Sequence, residues 1–448
     1  MKVVLGVPWY LPESIGGTEI FVHTLSAQLD KLGVDCAIMT PSMDGKTSVS
    51  SYSGIRVVRF PAMTVKDRTR YGILASQHSD AFTRLLEAES PDIYNQHEWS
   101  QNLGFSAFRA AKALKIPTIF TIHMGLIICR IQTLLYRNKV QCDGEIIENR
   151  CTNCLLETRG VPAQFARVIT QIPPKALSRL SKLPRIGPLF SGRDSVRDIA
   201  LGLHSVAGAV DRIVTVSQWL NDALSRNGVS ANKILCIRPG VDPEIVASAP
   251  VAETQLVSER PANPTLRIGF LGRANRAKGL HVLAAALLRM PQSASFNLKA
   301  LVIAEEAQYL AELERDISDR FAFTILLNQP RSAVREFFQT IDVLAVPSQC
   351  LESGPLVVLE AHAWKVPVVG SDLGGIRELV RRDVDGLLVA HDDIAAWTRA
   401  FVQLAREPER LLGFRENIGM VRTTLETAED TLSLYKSVLE ASGRRTKV

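Results

Sequence analysis

The segment Pro347–Ala361, PSQCLESGPLVVLEA, places two carboxylates, Glu352 and Glu360, eight residues apart across a Gly/Pro turn. Pro347 and Ser348 close the run VLAVPS, which reads as a strand, and Pro355 suits the first position of a helix that then contains Glu360. A strand that feeds a helix through a short turn is the repeating unit of a parallel α/β sheet. Along a helix at ~1.5 Å per residue, eight residues separate the carboxylates by about 12 Å. A hydrolytic acid/base pair needs roughly 5–9.5 Å, so this spacing suits two groups that hold different parts of one long ligand. The amides of Gly354, Leu356 and Val357 are then placed for a phosphate between them. Read by itself, the segment is better taken as a helix N-terminus with a well-placed Glu.

The same strand–turn–helix unit recurs on both sides. LRIGFLGR (266–273) reads as a strand, KGLHVLAAALLRM as a helix and FNLKALVIA as a strand. FTILLN, VPVVGS and GLLVA supply more strands, with helix-like sequence from IAAWTRAFVQLARE to the end. In GFLGRANRAKGL, Arg273 and Lys278 lie between a strand and a helix, where backbone N–H groups favour anions. An Arg fork and a Lys point charge can neutralise a diphosphate without a metal, although a solvated basic loop looks the same in isolation. In VVGSDLGGIRELV, Gly374 and Gly375 allow close backbone approach or simply make a turn, and Glu378 follows.

Towards the N-terminus the alternation repeats. KVVLGVPWY, DCAIMTP, GIRVVRF, DIYNQHE and TIFTIH read as strands, and TEIFVHTLSAQLDKLG reads as a helix with Ile20, Leu25, Leu29 and Leu32 near one face. The pattern breaks from Cys129 to Asp194 and resumes at RIVTVS, QWLNDALSR and KILCIRPGVD. The polar, Pro-containing stretch 250–264 suits a linker. The expected organisation is an N-terminal domain over 1–249 carrying an insertion over about 126–195, the linker, a second domain over 265–425 and a C-terminal helix over 426–448. Both domains read as doubly wound, with ligands expected at the strand C-termini.

A chain of 448 residues needs more than one core. With 46% hydrophobic and 22% charged residues it is an ordinary globular composition. No apolar run reaches the roughly 18–20 residues that span a bilayer. The N-terminus reads as a strand and not as a secretory signal, and the expected location is the cytoplasm. A net charge of +6 permits phosphate-bearing or anionic-lipid partners without requiring them, and no nucleic-acid module is present.

Taken together, GR-x4-KG, PS-x3-E-x7-E and GG-x2-E, in that order and each after a strand, resemble glycosyltransferase family 4 over essentially the whole chain. That resemblance implies a GT-B fold, two Rossmann-like domains facing a deep cleft, with the C-terminal helix packing back on the N-terminal domain. It implies a retaining hexosyltransferase that moves a sugar from a UDP- or GDP-sugar to a glycan or lipid-linked acceptor in polysaccharide or glycolipid assembly. Arg273 and Lys278 would bind the donor diphosphate, Glu360 the ribose and Glu352 the transferred sugar, with Glu378 in support. Two departures stand out: Glu305–Glu306 where the family often has a Gly-rich turn, and SGPL after the first Glu. A nucleotide-sugar epimerase or hydrolase on the same fold, a thiol-based metal or redox sensor, and a non-catalytic carbohydrate-binding subunit are the competing readings.

In the N-terminal half, Gly16–Gly17 match the family's glycine loop at the donor, and His123, ending T-x-H, should contact the donor sugar. His97 and Glu98 end another strand and could face the acceptor, and Ser217 reads as a helix cap. Arg238 and Asp242 resemble the family's hinge segment, with Arg replacing Asn. Four of the seven cysteines, Cys129, Cys142, Cys151 and Cys154, are spaced C-x12-C-x8-C-x2-C. They suit structural zinc or an iron–sulfur cluster, with unliganded thiols or disulfides as the alternatives; no cofactor is expected for catalysis. The segment 159–197, with eight basic residues among apolar ones, could bind an anionic membrane surface at the inner face, or be a solvated insertion.

Overall fold

The computed structural model describes residues 1–62, 77–100, 102–181, 183–184, 187–248, 265–305, 307–317 and 321–443. The chain forms two compact units, Met1–Arg238 with Leu425–Val448, and Pro239–Thr424. The expected linker 250–264 lies outside the described residues.

In the first unit the strands are β1 (Lys2–Gly6), β2 (Asp35–Ser42), β3 (Ser48–Tyr52), β4 (Ile55–Pro61), β5 (Ile93–His97), β6 (Thr118–Ile122), the short β7 (Leu135–Tyr136) and β8 (Val140–Gln141), β9 (Arg212–Thr215) and β10 (Ile234–Cys236). Eight of them form one sheet in the order β10-β9-β6-β5-β1-β2-β4-β3, while β7 and β8 pair separately. All pairings in the large sheet are parallel except β3 with β4. The central strands β5 and β6 are buried at every position, as both faces of a parallel sheet must be. The edge strand β3, SVSSY, is almost wholly exposed, and its polar sequence left it unread; Ser53 and Gly54 at positive φ make the tight turn into β4. The helix Gly17–Lys31 buries Phe21, Val22, Leu25 and Leu29, so its apolar face is rotated from the one expected through Ile20 and Leu32.

The second unit holds β11 (Leu266–Ala274), β12 (Phe296–Ala304), β13 (Ala322–Leu327), β14 (Val343–Val346), β15 (Val368–Ser371) and β16 (Gly386–Val389). Their order is β13-β12-β11-β14-β15-β16, all parallel. Ile268, Phe270, Val343, Leu283, Trp397 and Phe401 belong to the core beneath that sheet.

The boundary between the units falls at Arg238, earlier than the expected 249, because Pro239–Asp242 is held by the chain's return crossing. Val241 N donates to Arg422 O (2.9 Å) and Thr424 N to Val241 O (2.8 Å). The helix Thr424–Ala441 then joins the first unit, where Asn95 Nδ2 donates to Tyr435 Oη at 2.9 Å. The sequence between β6 and β9 is an insertion of the β7–β8 hairpin and helices, including Glu148–Thr158, Ala163–Gln171 and Gly192–Ala209. Among the described residues no helix is long and apolar enough to cross a membrane.

Candidate functional site

In the second unit, β11 lies between β12, its successor, and β14, so the strand order reverses direction between β11 and β14. Crevices for ligands open at that switch point, beyond the strand C-termini. The loops after β11 and β14 carry the key residues. Gly279, at φ +76°, stands where a Cβ would meet Pro347 O at 1.8 Å, so only glycine lets the two loops close on each other. Gln349 N donates to Ala277 O at 2.7 Å and fastens them.

This closure brings Lys278 Nζ to Glu352 Oε1 at 2.6 Å, and Ser348 Oγ donates to the same oxygen at 2.7 Å. Burial works against both charges. In Glu352 it raises the carboxyl, but the Lys278 ammonium and the two hydrogen bonds outweigh it and hold the group below the usual carboxylate range. Burial lowers Lys278 and Glu352 more than restores it, so the ammonium stays charged. Arg273 Nη1 pairs with Glu305 Oε1 at 2.9 Å, and Asn275 Nδ2 donates to Glu305 Oε2 at 2.6 Å. Glu360 lies buried in the helix Leu356–Ala363 and pairs with Arg331. Pro355 is the residue before that helix and not its first. Val358 N makes the first turn bond, to Pro355 O (3.1 Å), which leaves the Leu356 and Val357 amides ahead of the intrahelical ladder, next to Gly354.

Gly374 and Gly375 serve packing. A Cβ on Gly375 would meet Ser353 O at 2.4 Å, and Gly375 N donates to Glu352 O at 2.6 Å. The glycine pair therefore supports the Glu352 loop, and Glu378 sits on the short helix Gly374–Leu379 behind it.

The first unit reverses its strand order in the same way, between β1 and β5. Gly16 precedes the helix Gly17–Lys31, and a Cβ on Gly17 would meet nothing within 4 Å. Packing does not demand that glycine. His97 ends β5 and His123 follows β6, with His97 Nδ1 and His123 Nε2 3.0 Å apart. Glu98 accepts from Trp99 N (3.0 Å), His123 N (3.0 Å) and Met124 N (2.6 Å), so both carboxylate oxygens are spent on backbone. Burial pushes its carboxyl up to about 7 in spite of those bonds. His97 and Glu98 are each 1% exposed, so the acceptor contact expected of them is not open to their side chains. Both are built into the sheet edge instead. His123 is 8% exposed, and burial lowers it to about 3. Ser217 caps its helix, accepting from Leu220 N at 3.4 Å.

Within the insertion, Cys129, Cys142, Cys151 and Cys154 line one cavity together with Leu134 and Ile199. Arg137 N donates to Cys154 Sγ (3.1 Å) and Gly144 N to Cys142 Sγ (3.5 Å). Burial raises three of the thiols, Cys151 to about 11. As arranged, the four sulfurs share a wall without forming a closed ligand set: among the described residues no three His, Cys, Asp or Glu side chains are grouped to hold a metal ion. Among the described residues no cysteine is in a disulfide. In the basic segment, Arg193 and Arg197 are paired with Glu148, which removes two of the eight charges expected to face a membrane; Lys182 and Arg185 lie outside the described residues. Arg159, Arg167, Lys175 and Arg179 are exposed, alongside Phe165 (57%) and Val168 (59%).

Sequence reading missed Arg331, Asn275 and the partner role of Glu305. The signal was available in the loops that follow strands, NQPRS after β13 and the acidic pair after β12, where charged residues at strand C-termini mark a binding edge.

Comparison with known proteins agrees with this architecture. The family described as "Glycosyl transferase 4-like domain" matches residues 16–240, and "Glycosyl transferases group 1" matches 265–407. The D-inositol 3-phosphate glycosyltransferase of Stackebrandtia nassauensis is 24% identical, over 95% of this chain and 87% of that protein. Its counterpart in Corynebacterium urealyticum is 30% identical, over 46% of this chain and 51% of that protein, about half its length. Among solved structures, sucrose-phosphate synthase from Thermosynechococcus elongatus shares the fold with a TM-score of 0.65 at 18% identity, covering 98% of this chain and 100% of that one. HepE of Anabaena, in complex with UDP, does so at 0.62 and 15%, with the same coverage. With its two Rossmann-like units in the GT-B class and both family matches in place, the chain belongs to the group 1, family 4-like glycosyltransferases.

Proposed function

We propose that this protein transfers a sugar from a nucleoside diphosphate sugar to a hydroxyl acceptor with retention at the anomeric carbon. The observation that carries the reading is the Lys278–Glu352–Ser348 cluster at the second unit's switch point, with Arg273 on the neighbouring strand end. A carboxylate and an ammonium that both keep their charge in a buried setting are suited to a ligand that is polar and anionic. Arg273 and Lys278 hold the diphosphate, with the Gly354, Leu356 and Val357 amides. Glu360 takes the ribose hydroxyls in exchange for Arg331, and Glu352 orients the transferred sugar. Gly16 and Gly17 give a donor phosphate room at the first unit, and His123 contacts the sugar.

In the transfer, the bond from the anomeric carbon to the diphosphate oxygen breaks, and the electron pair leaves on the phosphate. The acceptor oxygen bonds to that carbon on the same face, and its proton passes to the departing phosphate. Arg273 and Lys278 stabilise the charge that develops on the leaving group. No metal takes part in these steps.

UDP- and GDP-sugars are the donor candidates. Structures of this fold include complexes with UDP and UDP-glucose, so UDP-glucose is tried first. Acceptors to test are glycans, lipid-linked saccharides and, after the relatives' name, an inositol phosphate. The deciding experiment is incubation with each donor, with and without acceptor, followed by product analysis. A glycoside of unchanged anomeric configuration is expected. Epimerised or hydrolysed sugar from donor alone, with no transfer to any acceptor, refutes the proposal.

The exposed Phe165, Val168, Arg159, Arg167, Lys175 and Arg179 fit peripheral binding to an anionic bilayer at the cytoplasmic face. Flotation with anionic liposomes that weakens with salt is expected; absence of binding at low salt refutes it.

A further inference from the structure

Two imidazoles meet at the first unit's switch point. His97 Nδ1 and His123 Nε2 are 3.0 Å apart, and the rings lie 5.3 Å centroid to centroid at 24°. Phe21, from the helix Gly17–Lys31, packs on both, edge-on to the His123 ring at 4.8 Å and tilted at 48° to that of His97 at 6.1 Å. The other nitrogen of His97, Nε2, is buried with no hydrogen-bond partner among the described residues. Burial holds both rings neutral at ordinary pH.

A neutral imidazole carries one N–H, so the shared bond admits two arrangements. In the first, His123 Nε2 donates, and His97 must then keep its proton on Nε2, a buried N–H without an acceptor. In the second, His97 Nδ1 donates, and its Nε2 is left as a bare lone pair. An orphaned buried N–H is the rarer and costlier defect, so the second arrangement wins. His123 then accepts at Nε2 and carries its own proton on Nδ1.

We infer that His97 is a positioning residue: it fixes the tautomer and ring plane of His123, so that the only proton the His123 ring can donate to a sugar oxygen is the one on Nδ1. Its neighbour Glu98 does the matching work on the main chain. The Glu98 carboxylate takes the N–H groups of His123 and Met124, while Glu98 N donates to Thr121 O at 2.8 Å. Glu98 adopts φ +74°, a left-handed conformation uncommon for a side-chain-bearing residue and held here by those bonds. Consecutive residues at the end of β5 thus hold both the ring and the backbone of His123. This assignment rests on the glycosyl-transfer reading for what His123 contacts, and on geometry alone for the tautomer.

The test has two arms. Long-range ¹H–¹⁵N correlation on the full chain with ¹⁵N-labelled histidine, assigned with His123→Gln, reads the tautomers directly. Protons on Nδ1 of both rings are expected, and a proton on Nε2 of His123 overturns the inference. In the kinetic arm, His97→Leu should lower kcat/KM for transfer by about tenfold to a hundredfold, as loss of an imidazole's orienting partner does elsewhere. Nucleoside diphosphate affinity should fall much less than kcat/KM, because the charged side chains assigned to the diphosphate, Arg273 and Lys278, lie in the other unit. His97→Asn, whose amide stands where Nδ1 did, should restore most of the loss. Wild-type kcat/KM in a folded His97→Leu protein overturns the inference, and so does an Asn variant as poor as Leu. If His97→Leu does not fold, the Asn variant and the spectra decide. Should the wild-type protein transfer no sugar, the functional reading fails while the spectra still decide the tautomer.

Discussion

The two units share one strand plan and fill its switch point with opposite chemistry. In the second, the strand ends carry ion pairs: Lys278 against Glu352, Arg273 against Glu305 and Arg331 against Glu360. In the first, the equivalent edge is buried and closed, with His97 on His123 and both oxygens of Glu98 consumed by backbone. Fold alone therefore does not make a binding site; the side chains at the strand ends decide it.

The largest effect expected from breaking this contrast is on the charged side. Arg273→Ala and Glu352→Ala should each reduce turnover by about 10²–10³-fold or more, as removal of one preorganised electrostatic group does. Far-UV circular dichroism should stay that of the wild type. Near-native turnover in either variant would leave the second unit's edge without its assigned chemistry.

Glycines sharpen the contrast next. Gly279→Ala forces a Cβ against Pro347 O at positive φ, so unfolding of the second unit should be easier by on the order of 1–3 kcal/mol in denaturant titration. Gly17→Ala meets open space and should leave stability unchanged while weakening donor turnover. Equal stability losses in both would remove the distinction between a glycine kept for packing and one kept for room.

The carboxylates give opposite pH signatures. Glu98, raised to about 7 by burial, binds a proton more readily in the folded state. Its contribution therefore makes stability fall as pH rises from its ordinary value near 4.5 to 7, and then level off. Glu352 is lowered, so its contribution is present above the ordinary carboxylate range and is lost as pH falls through its folded value. Unfolding free energies of wild type minus Glu98→Gln, and of wild type minus Glu352→Gln, should slope in opposite directions with pH. The same sign in both would contradict the contrast.

The smallest expected effect concerns the insertion. A structural metal at Cys129, Cys142, Cys151 and Cys154 remains a proposal that needs the four thiols of one cavity to close on an ion. One equivalent of zinc or iron per chain, in protein purified without added metal, is the expected result. A stably folded, metal-free protein would leave these cysteines as cavity lining. Either way the ion pairs of Arg273, Lys278 and Glu360 should not depend on the metal, because they lie in the other unit.

Much of this molecule was legible from its residues alone. Apolar runs bounded by turn residues placed most strands of both sheets and several helices near their observed limits, because strand burial on both faces and helix periodicity leave direct marks on composition. The spacing of Arg273, Lys278, Glu352 and Glu360 was equally visible, since Arg273 lies at the end of one strand and the others in the loop or helix that follows a strand. The edge strand SVSSY was not, because an exposed strand owes its pairing to a hairpin turn and not to burial. Tertiary structure alone showed that Gly279 and Gly375 are glycines for close backbone contact, that Glu305 answers Arg273 across adjacent strands, and that Arg193 and Arg197 are spent on Glu148. It also moved His97 and Glu98 from ligand contacts to the frame around His123. Residues far apart in the chain meet only through the sheet, so the partner of a charge or of a ring nitrogen is a property of the fold and not of local sequence.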